Sequence, residues 1–412
     1  MSRQLSLAKD KIRVLLLEGI SDTAVDLMRA AGYTNLERLT TALDGEDLRK
    51  ALEGVRLVGV RSRTQLTAEV IGAADRLIAI GCFSVGTNQV NLPAAAARGV
   101  PVFNAPFSNT RSVAELTIGE IIMLMRRIPE RSTGAHAAKW DKSATGSYEV
   151  RGKTLGIVGY GNIGSQLSQL GEALGMRVIY HDQTDRLRYG NTEPVETLQE
   201  LLAQSDVVSL HVPDTPATRN MIGEAEIRAM KPGAYLINNA RGKVVDIDAL
   251  AAALRDEHLA GAAIDVFPVE PGSNKEAFVS PLQGLPNVIL TPHIGGSTQE
   301  AQERIGAEVA RKLVEYSDVG STLGAVNFPQ VQLPPTPRGA RFIHVHRNVP
   351  GVMLRINEVF SSHKLNLSAQ YLQTAGDIGY VVLDAEGDGE HAAAALGDLR
   401  GIDGTIRARL LY

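Results

Sequence analysis

Short apolar runs alternate with amphipathic stretches along the first hundred residues of the chain. Residues 12–17, 57–61 and 77–81 are apolar runs typical of buried strands. Between the first two, residues 22–31 have helical spacing that stops at Gly32. Strands that alternate with helices indicate a parallel sheet covered by helices on both faces. This first α/β region has no phosphate-binding glycine signature.

The same alternation continues through the middle of the chain. Residues 101–106 predict a strand that leads into a turn, and a long helix is expected to begin near Ser112, with Glu115 as its capping-box partner. Further buried strands are predicted at residues 177–182, 206–212, 234–239, 261–267 and 288–291. Ligands of such sheets bind beyond the carboxyl ends of the strands. We therefore expect the polar residues that follow these strands to converge on one site.

The pattern changes again in the last third of the chain. Residues 298–316 are helical and are expected to return the chain to the first domain, and residues 329–337, with the run LPPTP, predict a stiff linker. Beyond it, strand, helix, strand, strand, helix and strand are predicted in that order at residues 342–346, 350–363, 367–374, 380–384, 391–399 and 405–412. The tail carries no catalytic constellation, so a binding or assembly role is expected.

The run LGIVGYGNIG, residues 155–164, carries the most specific local chemistry in the chain. A buried strand ends there, Gly159 makes the tight turn, Gly161 lets the backbone approach a pyrophosphate, and Gly164 lets the following helix pack closely. The positive end of that helix then faces the phosphate charge. Asp182 ends the next strand about 20 residues on, where a ribose-binding carboxylate belongs. An acidic residue there favours NAD over NADP.

Composition and charge exclude several classes of function. The net charge of −4 without a basic run argues against a nucleic-acid partner. Cys82 is the sole cysteine, so no disulfide can form within one chain, which fits the reducing cytoplasm. The N-terminus lacks the apolar core of a signal peptide, so no secretion signal is expected. The apolar residues 113–128 are interrupted by charges and are too few to span a bilayer, so no transmembrane helix is expected there. No metal site is expected, because no cysteine or carboxylate completes a ligand set with the histidines of the tail.

Three side chains that follow predicted strands suit hydride transfer to a nicotinamide. His293 can move a proton near neutral pH, and Glu270 is a candidate to fix its tautomer. The guanidinium of Arg241 can bind a carboxylate bidentately. Each residue alone is as well explained by a solvated loop or a surface pair. Their shared position after strands of a dinucleotide-binding sheet favours the catalytic interpretation.

A second polar constellation follows a strand of the first domain. Arg61 and Arg63, with Ser62 between them, are suited to hold a phosphate or a carboxylate. Asn109 and Arg111 lie near the presumed boundary of the first domain. For both segments, the alternative is a solvated polar loop.

The assembled motifs resemble those of the D-isomer-specific 2-hydroxyacid dehydrogenases, and within them the bacterial D-3-phosphoglycerate dehydrogenases that carry a C-terminal ACT domain. The resemblance covers essentially the whole chain and rests on VRSRTQLT, GCFSVGTNQV, NAPFSNTRSVAEL, GIVGYGNIG, SLHVPDTP, MKPGAYLINNARG, GAAIDVFPVEP, LTPHIGGSTQEAQ, QYLQT and GTIRARLLY. It implies an α/β fold with a flavodoxin-like discontinuous substrate domain (residues 1–108 and 296–330). A Rossmann-type NAD domain (109–295) and a ferredoxin-like βαββαβ ACT domain (338–412) would complete the chain.

The resemblance also implies a reaction, the NAD-dependent oxidation of 3-phospho-D-glycerate to 3-phosphohydroxypyruvate at the start of L-serine biosynthesis. His293 would be the acid/base, Glu270 its partner and Arg241 the carboxylate anchor. The implied NAD contacts are Gly159, Gly161, Asn162, Ile163, Gly164, Asp182, His211, Asn239, Ala240, Asp265, Gly295 and Gly296. The implied substrate contacts are Arg61, Ser62, Arg63, Asn109, Gln302 and, in a segment with Trp140 that reaches toward a neighbouring subunit, Lys142.

For the tail, the resemblance implies a serine sensor that dimerises side by side, within a cytoplasmic homotetramer under feedback inhibition. The implied serine ligands are His346, Asn348 and Asn366, and Val349 stands where relatives often carry arginine.

Two other functions are compatible with the sequence. One is a related reductase acting on glyoxylate, hydroxypyruvate or 2-oxoglutarate, against which the paired arginines Arg61 and Arg63 favour a doubly anionic substrate. The other is an NAD-sensing scaffold like the transcriptional corepressors of this fold, against which the small tail domain after a proline-rich linker argues.

Overall fold

The computed structural model describes residues 7–271, 276–334, 339–386 and 389–411, and internal contacts divide the chain into two compact units. The first unit takes in Met1–Ser108 and Gln302–Tyr412, and the second Asn109–Ala301. The strands are β1 (Val14–Leu16), β2 (Leu36–Arg38), β3 (Leu57–Val60), β4 (Ala79–Cys82), β5 (Val102–Phe103), β6 (Thr154–Val158), β7 (Arg177–His181), β8 (Glu193–Pro194), β9 (Val207–Leu210), β10 (Ala234–Asn238), β11 (Leu259–Ile264), β12 (Val288–Leu290), β13 (Ala340–Arg347), β14 (Asn366–Ala375), β15 (Ile378–Glu386) and β16 (Thr405–Leu411).

Helices connect the strands, including several that the sequence analysis did not single out. They are α1 (Asp22–Ala30), α2 (Gly45–Ala51), α3 (Ala68–Ala73), α4 (Leu92–Ala97), α5 (Thr110–Met125), α6 (Ile128–His136), α7 (Asn162–Ala173), α8 (Leu198–Gln204), α9 (Glu224–Ala229), α10 (Ile247–Arg255), α11 (Gln299–Val319), α12 (Val352–Ser362) and α13 (Gly389–Gly401). In the described parts of the chain, no helix combines the length and the apolar character that crossing a membrane requires.

The first unit contains a parallel sheet with the strand order β2-β1-β3-β4-β5. Every residue of β1, β3 and β4 is buried, as expected for strands covered by helices on both faces. After β2 the chain crosses to the other side of β1, so β1 and β3 flank the topological switch point. Ligands of flavodoxin-like sheets bind at this crevice, beyond the carboxyl ends of the strands.

The second unit contains a longer parallel sheet with the order β12-β11-β10-β9-β6-β7-β8. Its switch point lies between β6 and β9. Side chains from one face of β6, β9 and β10 join a core with α5 and α7, and those from the other face join a core with α8, α9 and α10. The predicted doubly wound sheet is therefore confirmed.

The tail forms an antiparallel sheet with the order β14-β15-β13-β16. Phe342 and alternate residues pack under α12 and α13, whereas Ile343, Val345 and Tyr380 face the other way. That second face shares one hydrophobic core with β1 and α11. This common core explains why the tail and the first domain form one compact unit. Of the predicted linker, residues 335–337 lie outside the described residues.

The predicted capping box at the start of α5 is wrong. The helix begins two residues earlier, at Thr110, with Asn109 as its N-cap residue. Ser112 lies inside the first turn and its hydroxyl is 2.8 Å from the Thr298 hydroxyl. Glu115 forms an ion pair with Arg111 one turn back, at 2.6 Å. The sequence pattern alone fits a helix that starts at Ser112 or one that starts at Thr110. In the folded chain the Ser112 hydroxyl contacts Thr298 and does not cap the helix.

Candidate active site

The glycine-rich turn between β6 and α7 lies at the switch point of the second sheet. Gly159 has φ +92°, and a Cβ there would lie 2.5 Å from the His211 carbonyl oxygen. A Cβ at Gly164 would overlap the Gly159 carbonyl oxygen, so α7 can pack this closely only without a side chain at that position. Gly161, the N-cap of α7, has no described atom within 4 Å of an added Cβ. The residues present therefore fit a pyrophosphate at the open N-terminus of α7.

Asp182 follows β7 and is held by the turn itself. Its Oδ2 accepts a hydrogen bond from the Tyr160 backbone N–H at 2.9 Å, and its Oδ1 accepts two from Thr184, each at 3.0 Å. Burial opposes ionisation, but these hydrogen bonds hold the pKa of the Asp182 carboxyl below its ordinary value. Arg186 lies 3.3 Å from the same carboxylate. An ionised acid thus stands where the ribose of a dinucleotide would lie.

His293 and Glu270 are brought together from two loops that follow β11 and β12. The Nδ1 of His293 lies 2.9 Å from Oε2 of Glu270. This hydrogen bond, with the carboxylate charge, raises the pKa of His293 above its ordinary value. Burial opposes ionisation of Glu270, yet the bonds from His293 and from the Phe267 N–H hold its pKa below the usual range. The carboxylate therefore stabilises the protonated form of the imidazole, and the pair can accept and release a proton.

Asp265, at the end of β11, fixes the loop that carries His293. Its buried carboxylate accepts hydrogen bonds from the Thr291 hydroxyl at 2.6 Å, the Ile294 N–H at 2.7 Å and the Gly295 N–H at 2.8 Å. The Asp265 carbonyl also accepts the His293 N–H at 2.8 Å. His293 has φ +54°, a left-handed backbone that non-glycine residues rarely adopt. Bonds on both sides of the residue hold it in that conformation.

Arg241 follows β10, and its loop packs directly against the loop of Glu270. A Cβ at Gly242 would overlap the carbonyl group of Phe267, so only glycine permits this approach. The Asn238 side chain closes the turn, accepting the Ala240 N–H and donating to the Arg241 carbonyl, each at 3.1 Å. The Arg241 charge is felt at both His293 and Glu270. The structure therefore brings the cation, the imidazole and its partner to one edge of the sheet.

A buried carboxyl group beneath this edge escaped the sequence analysis. Glu120 of α5 is fully buried, and its Oε2 accepts a hydrogen bond from the Asn239 amide at 2.7 Å. Its Oε1 has no hydrogen-bond partner among the described residues. Burial, opposed only in part by Asn239, raises the pKa of Glu120 to about 7. In the sequence, Glu120 is only one of the charges that interrupt the apolar residues 113–128, and the pattern does not tell which of these charges is buried.

Of the remaining predicted site residues, His211 is expected to contact the cofactor, and Asn109 and Lys142 the substrate. The His211 ring lies 2.9 Å from the Ser209 hydroxyl, and burial lowers the pKa of the ring to about 3, so the ring is neutral. Asn109 packs against Gly296, where an added Cβ would lie 2.7 Å from its amide nitrogen. Trp140 and Lys142 are exposed in the segment after α6.

In the first unit, Arg61, Ser62 and Arg63 follow β3 at the switch point of the sheet. Arg61 is half-buried, whereas Ser62 and Arg63 are exposed. The loop is held from within by the buried carboxylate of Glu18, a residue that the sequence analysis did not single out. Gln302 lies partly exposed in the first turn of α11.

The residues expected to bind serine do not meet within one chain. The buried His346 pairs with Gly379, whereas the exposed Asn366 pairs with Glu386 at the other end of β15. At about 3.3 Å per residue, these positions are more than about 20 Å apart. Asn348 lies at the His346 end, donating to the Gly376 carbonyl at 3.2 Å.

Comparison with known proteins agrees with this architecture. Residues 118–295 match the NAD binding domain of the D-isomer specific 2-hydroxyacid dehydrogenases, and residues 342–407 match the AHAS small subunit-like ACT domain. D-3-phosphoglycerate dehydrogenase of Haemophilus influenzae is 58% identical over 412 residues, covering 100% of both chains. The Escherichia coli K12 enzyme of the same name is 58% identical over 409 residues, 99% of this chain and 100% of the relative.

A solved structure shows the same fold over about three quarters of the chain. The D-lactate dehydrogenase of Aquifex aeolicus, complexed with NAD and lactic acid, is 31% identical and superposes with a TM-score of 0.64, covering 74% of this chain and 95% of that one. The full-length identity to the two bacterial enzymes exceeds what a shared fold alone produces. The chain therefore belongs to the D-3-phosphoglycerate dehydrogenase family of D-isomer specific 2-hydroxyacid dehydrogenases.

Proposed function

We propose that the protein oxidises 3-phospho-D-glycerate to 3-phosphohydroxypyruvate with NAD, the first committed step of L-serine biosynthesis. The observation that carries the proposal is the His293–Glu270 pair, held at 2.9 Å beside Arg241 at the carboxyl edge of a dinucleotide-binding sheet. The D-3-phosphoglycerate dehydrogenases of Haemophilus influenzae and Escherichia coli match over essentially the full chain, which supports the choice of substrate.

His293 acts as the base of the oxidation. Its Nδ1 is engaged by Glu270, which leaves Nε2 for the proton of the substrate 2-hydroxyl. Glu270 stabilises the imidazolium that forms, and Arg241 binds the substrate carboxylate and sets the orientation of the reacting carbon. NAD, when bound, supplies the hydride acceptor. The glycine turn, Asp182 and the Asp265 loop would hold it.

For the remainder of the substrate we propose Arg61, Ser62 and Arg63 as the phosphate-binding group, with Asn109, Gln302 and Lys142 as further contacts. The two guanidinium groups supply charge for a dianion, and their loop lies at a switch point where ligands bind. Phosphorylated acids and NAD are metabolites of the cell interior, so we place the enzyme in the cytoplasm.

We further propose that serine inhibits the enzyme at the tail domain of a homotetramer. Because His346 and Asn366 lie at opposite ends of β15, a site with both requires two copies of the chain. The edge strand β14 is exposed along most of its ten residues and can pair side by side with β14 of a second copy. This antiparallel pairing would bring Asn366 of the partner subunit to His346 and Asn348.

A steady-state assay tests the function directly. NADH formation is followed with 3-phosphoglycerate and NAD, with and without serine, and with D-glycerate and 2-hydroxyglutarate as alternative substrates. We expect 3-phosphoglycerate to be preferred and serine to inhibit. A preference for an unphosphorylated acid would instead identify one of the related dehydrogenases.

A further inference from the structure

Glu18 lies at the switch point of the first sheet, directly beneath the loop that carries Arg61 and Arg63. It follows β1, and the loop follows the neighbouring strand β3. Glu18 is only 4% exposed and has φ +63°. Its N–H donates to the Thr41 carbonyl at 3.1 Å, so the strained backbone is held from the opposite side of β1.

The Glu18 carboxylate binds the backbone of the arginine loop rather than a single side chain. Oε1 accepts the N–H of Arg61 at 3.1 Å and that of Thr64 at 2.9 Å, and Oε2 accepts the N–H of Arg63 at 3.0 Å. Burial opposes ionisation, but the bonds from Thr64, Arg63 and Arg61 hold the pKa of Glu18 below its ordinary value. The carboxylate is therefore charged and fixes the loop through three amides.

The position of this charge is unexpected, because a carboxylate beneath an anion-binding loop repels the anion. Part of the charge is offset by the amides and by Arg63, whose Nε lies 3.7 Å from Oε2. Arg61 makes no such ion pair among the described residues, and its side chain is half-buried. A buried acid kept at such a place is explained by the shape that it imposes on the loop.

We propose that Glu18 is the positioning residue of the phosphate-binding loop, holding residues 61–64 in the conformation that accepts the phosphate of the substrate. The inference rests on the proposed function. It adds to that function the residue that holds the arginine loop in place. In this proposal Glu18 acts through the loop and does not itself bind the substrate or the cofactor.

The substitution Glu18→Gln separates positioning from simple electrostatics, because the two predict opposite signs. If Glu18 acted only as a nearby negative charge, removing that charge would lower the KM for 3-phosphoglycerate. If it positions the loop, one amide oxygen cannot replace two carboxylate oxygens, and KM rises. We expect an increase of about 10- to 100-fold in KM for 3-phosphoglycerate, kcat within about twofold, and little change with D-glycerate.

Two further measurements complete the test. Inorganic phosphate, used as a competitive inhibitor, should bind Glu18→Gln more weakly by a similar factor. Glu37→Gln, which removes an exposed glutamate paired with Arg13 at 3.0 Å on the adjacent β2, is the matched control and should keep the wild-type KM.

The outcomes are distinguishable. A KM for 3-phosphoglycerate that is unchanged or lower, or an equal rise for both substrates, overturns the role of Glu18. If Glu18→Gln does not bind NADH like the wild type, Glu18→Asp takes its place. That variant keeps the charge but reaches fewer of the amides, and an unaltered KM in it also overturns the inference. Failure of the proposed function is a separate result, in which the wild-type enzyme does not oxidise 3-phosphoglycerate.

Discussion

The two parallel sheets each have a switch point suited to a phosphate, and they are built in different ways. In the second unit, glycines clear the space and the N-terminus of α7 supplies backbone donors. In the first unit, a buried glutamate fixes the loop after β3 through three backbone amides, and we propose that the arginines of this loop supply the charge. Backbone recognition leaves a pattern in the sequence because each glycine has a steric reason. Recognition by side chains leaves a weaker pattern, because Arg61 and Arg63 stand close together but Glu18, which fixes their loop, lies 43 residues before Arg61.

The two buried glutamates sharpen the same comparison. Glu18 meets three backbone N–H donors and is charged, with a lowered pKa. Glu120 meets one amide, and burial raises its pKa to about 7. Burial opposes ionisation of both carboxyl groups, but three donors outweigh it at Glu18, whereas at Glu120 the single donor does not and the charge of Asp265 adds to the opposition.

The largest effect is expected at the glycine turn. Gly164→Ala would place a methyl group on the Gly159 carbonyl oxygen, so α7 must move away from β6. We expect loss of NAD binding and destabilisation on the order of 3 kcal/mol. Gly161→Ala is the matched control for stability, because its Cβ meets no described atom within 4 Å. It should keep the wild-type Tm and raise only the KM for NAD. Calorimetry and cofactor titration would check both variants, and normal NAD binding by Gly164→Ala would contradict this account of backbone recognition.

The next largest effect is expected on kcat, at the catalytic histidine His293. His293→Ala should lower kcat by about 10³-fold, while NADH still binds.

Glu270→Gln tests the pKa of His293 itself. It removes the carboxylate charge that raises this pKa, so the acid limb of the pH–rate profile for oxidation, which reports the titration of His293, should move to lower pH. Steady-state rates over a pH series would measure this shift. A limb that stays in place or moves to higher pH would mean that another group titrates.

A smaller effect is expected at the arginine loop. Arg61→Ala should raise the KM for 3-phosphoglycerate by roughly 100-fold and change the KM for D-glycerate little, since a charge-assisted contact to the phosphate is lost. Arg63→Ala should cost less, because Arg63 is already partly neutralised by Glu18 at 3.7 Å. The ratio of the two KM values in each variant is the measurement. Equal losses on both substrates would remove the phosphate assignment.

The last effect changes the stability of the fold with pH and leaves the chemistry at the active site untouched. The raised pKa of Glu120 means that the folded chain holds this proton more tightly than the unfolded chain, whose ordinary value is 4.5. Its contribution is present below about pH 4.5 and is lost as the pH rises through about 7. Relative to Glu120→Gln, the wild type should lose on the order of 3 kcal/mol over that interval. Unfolding by urea at several pH values would reveal it, and parallel pH profiles of the two proteins would show that Glu120 titrates normally.

The sequence predicted those features whose physical cause is local or periodic. Continuous apolar runs predicted the parallel strands, and the spacing of Gly159, Gly161 and Gly164 predicted the dinucleotide turn. It did not predict Glu18 or Glu120, because burial of a glutamate depends on neighbours distant in the chain. It also failed at the start of α5, where Asn109 rather than Ser112 is the N-cap residue.

The tail contributes Ile343, Val345 and Tyr380 to the same hydrophobic core as Val309 and Leu313 of α11. This sharing limits how the protein can be re-engineered. A chimera that replaces the tail by a domain with another amino-acid specificity must keep apolar side chains that cover α11. Otherwise the apolar face of α11 becomes exposed to solvent and prone to aggregation. For the same reason, truncation before β13 would disturb folding as well as inhibition. Single substitutions at the proposed serine ligands test inhibition without removing this core.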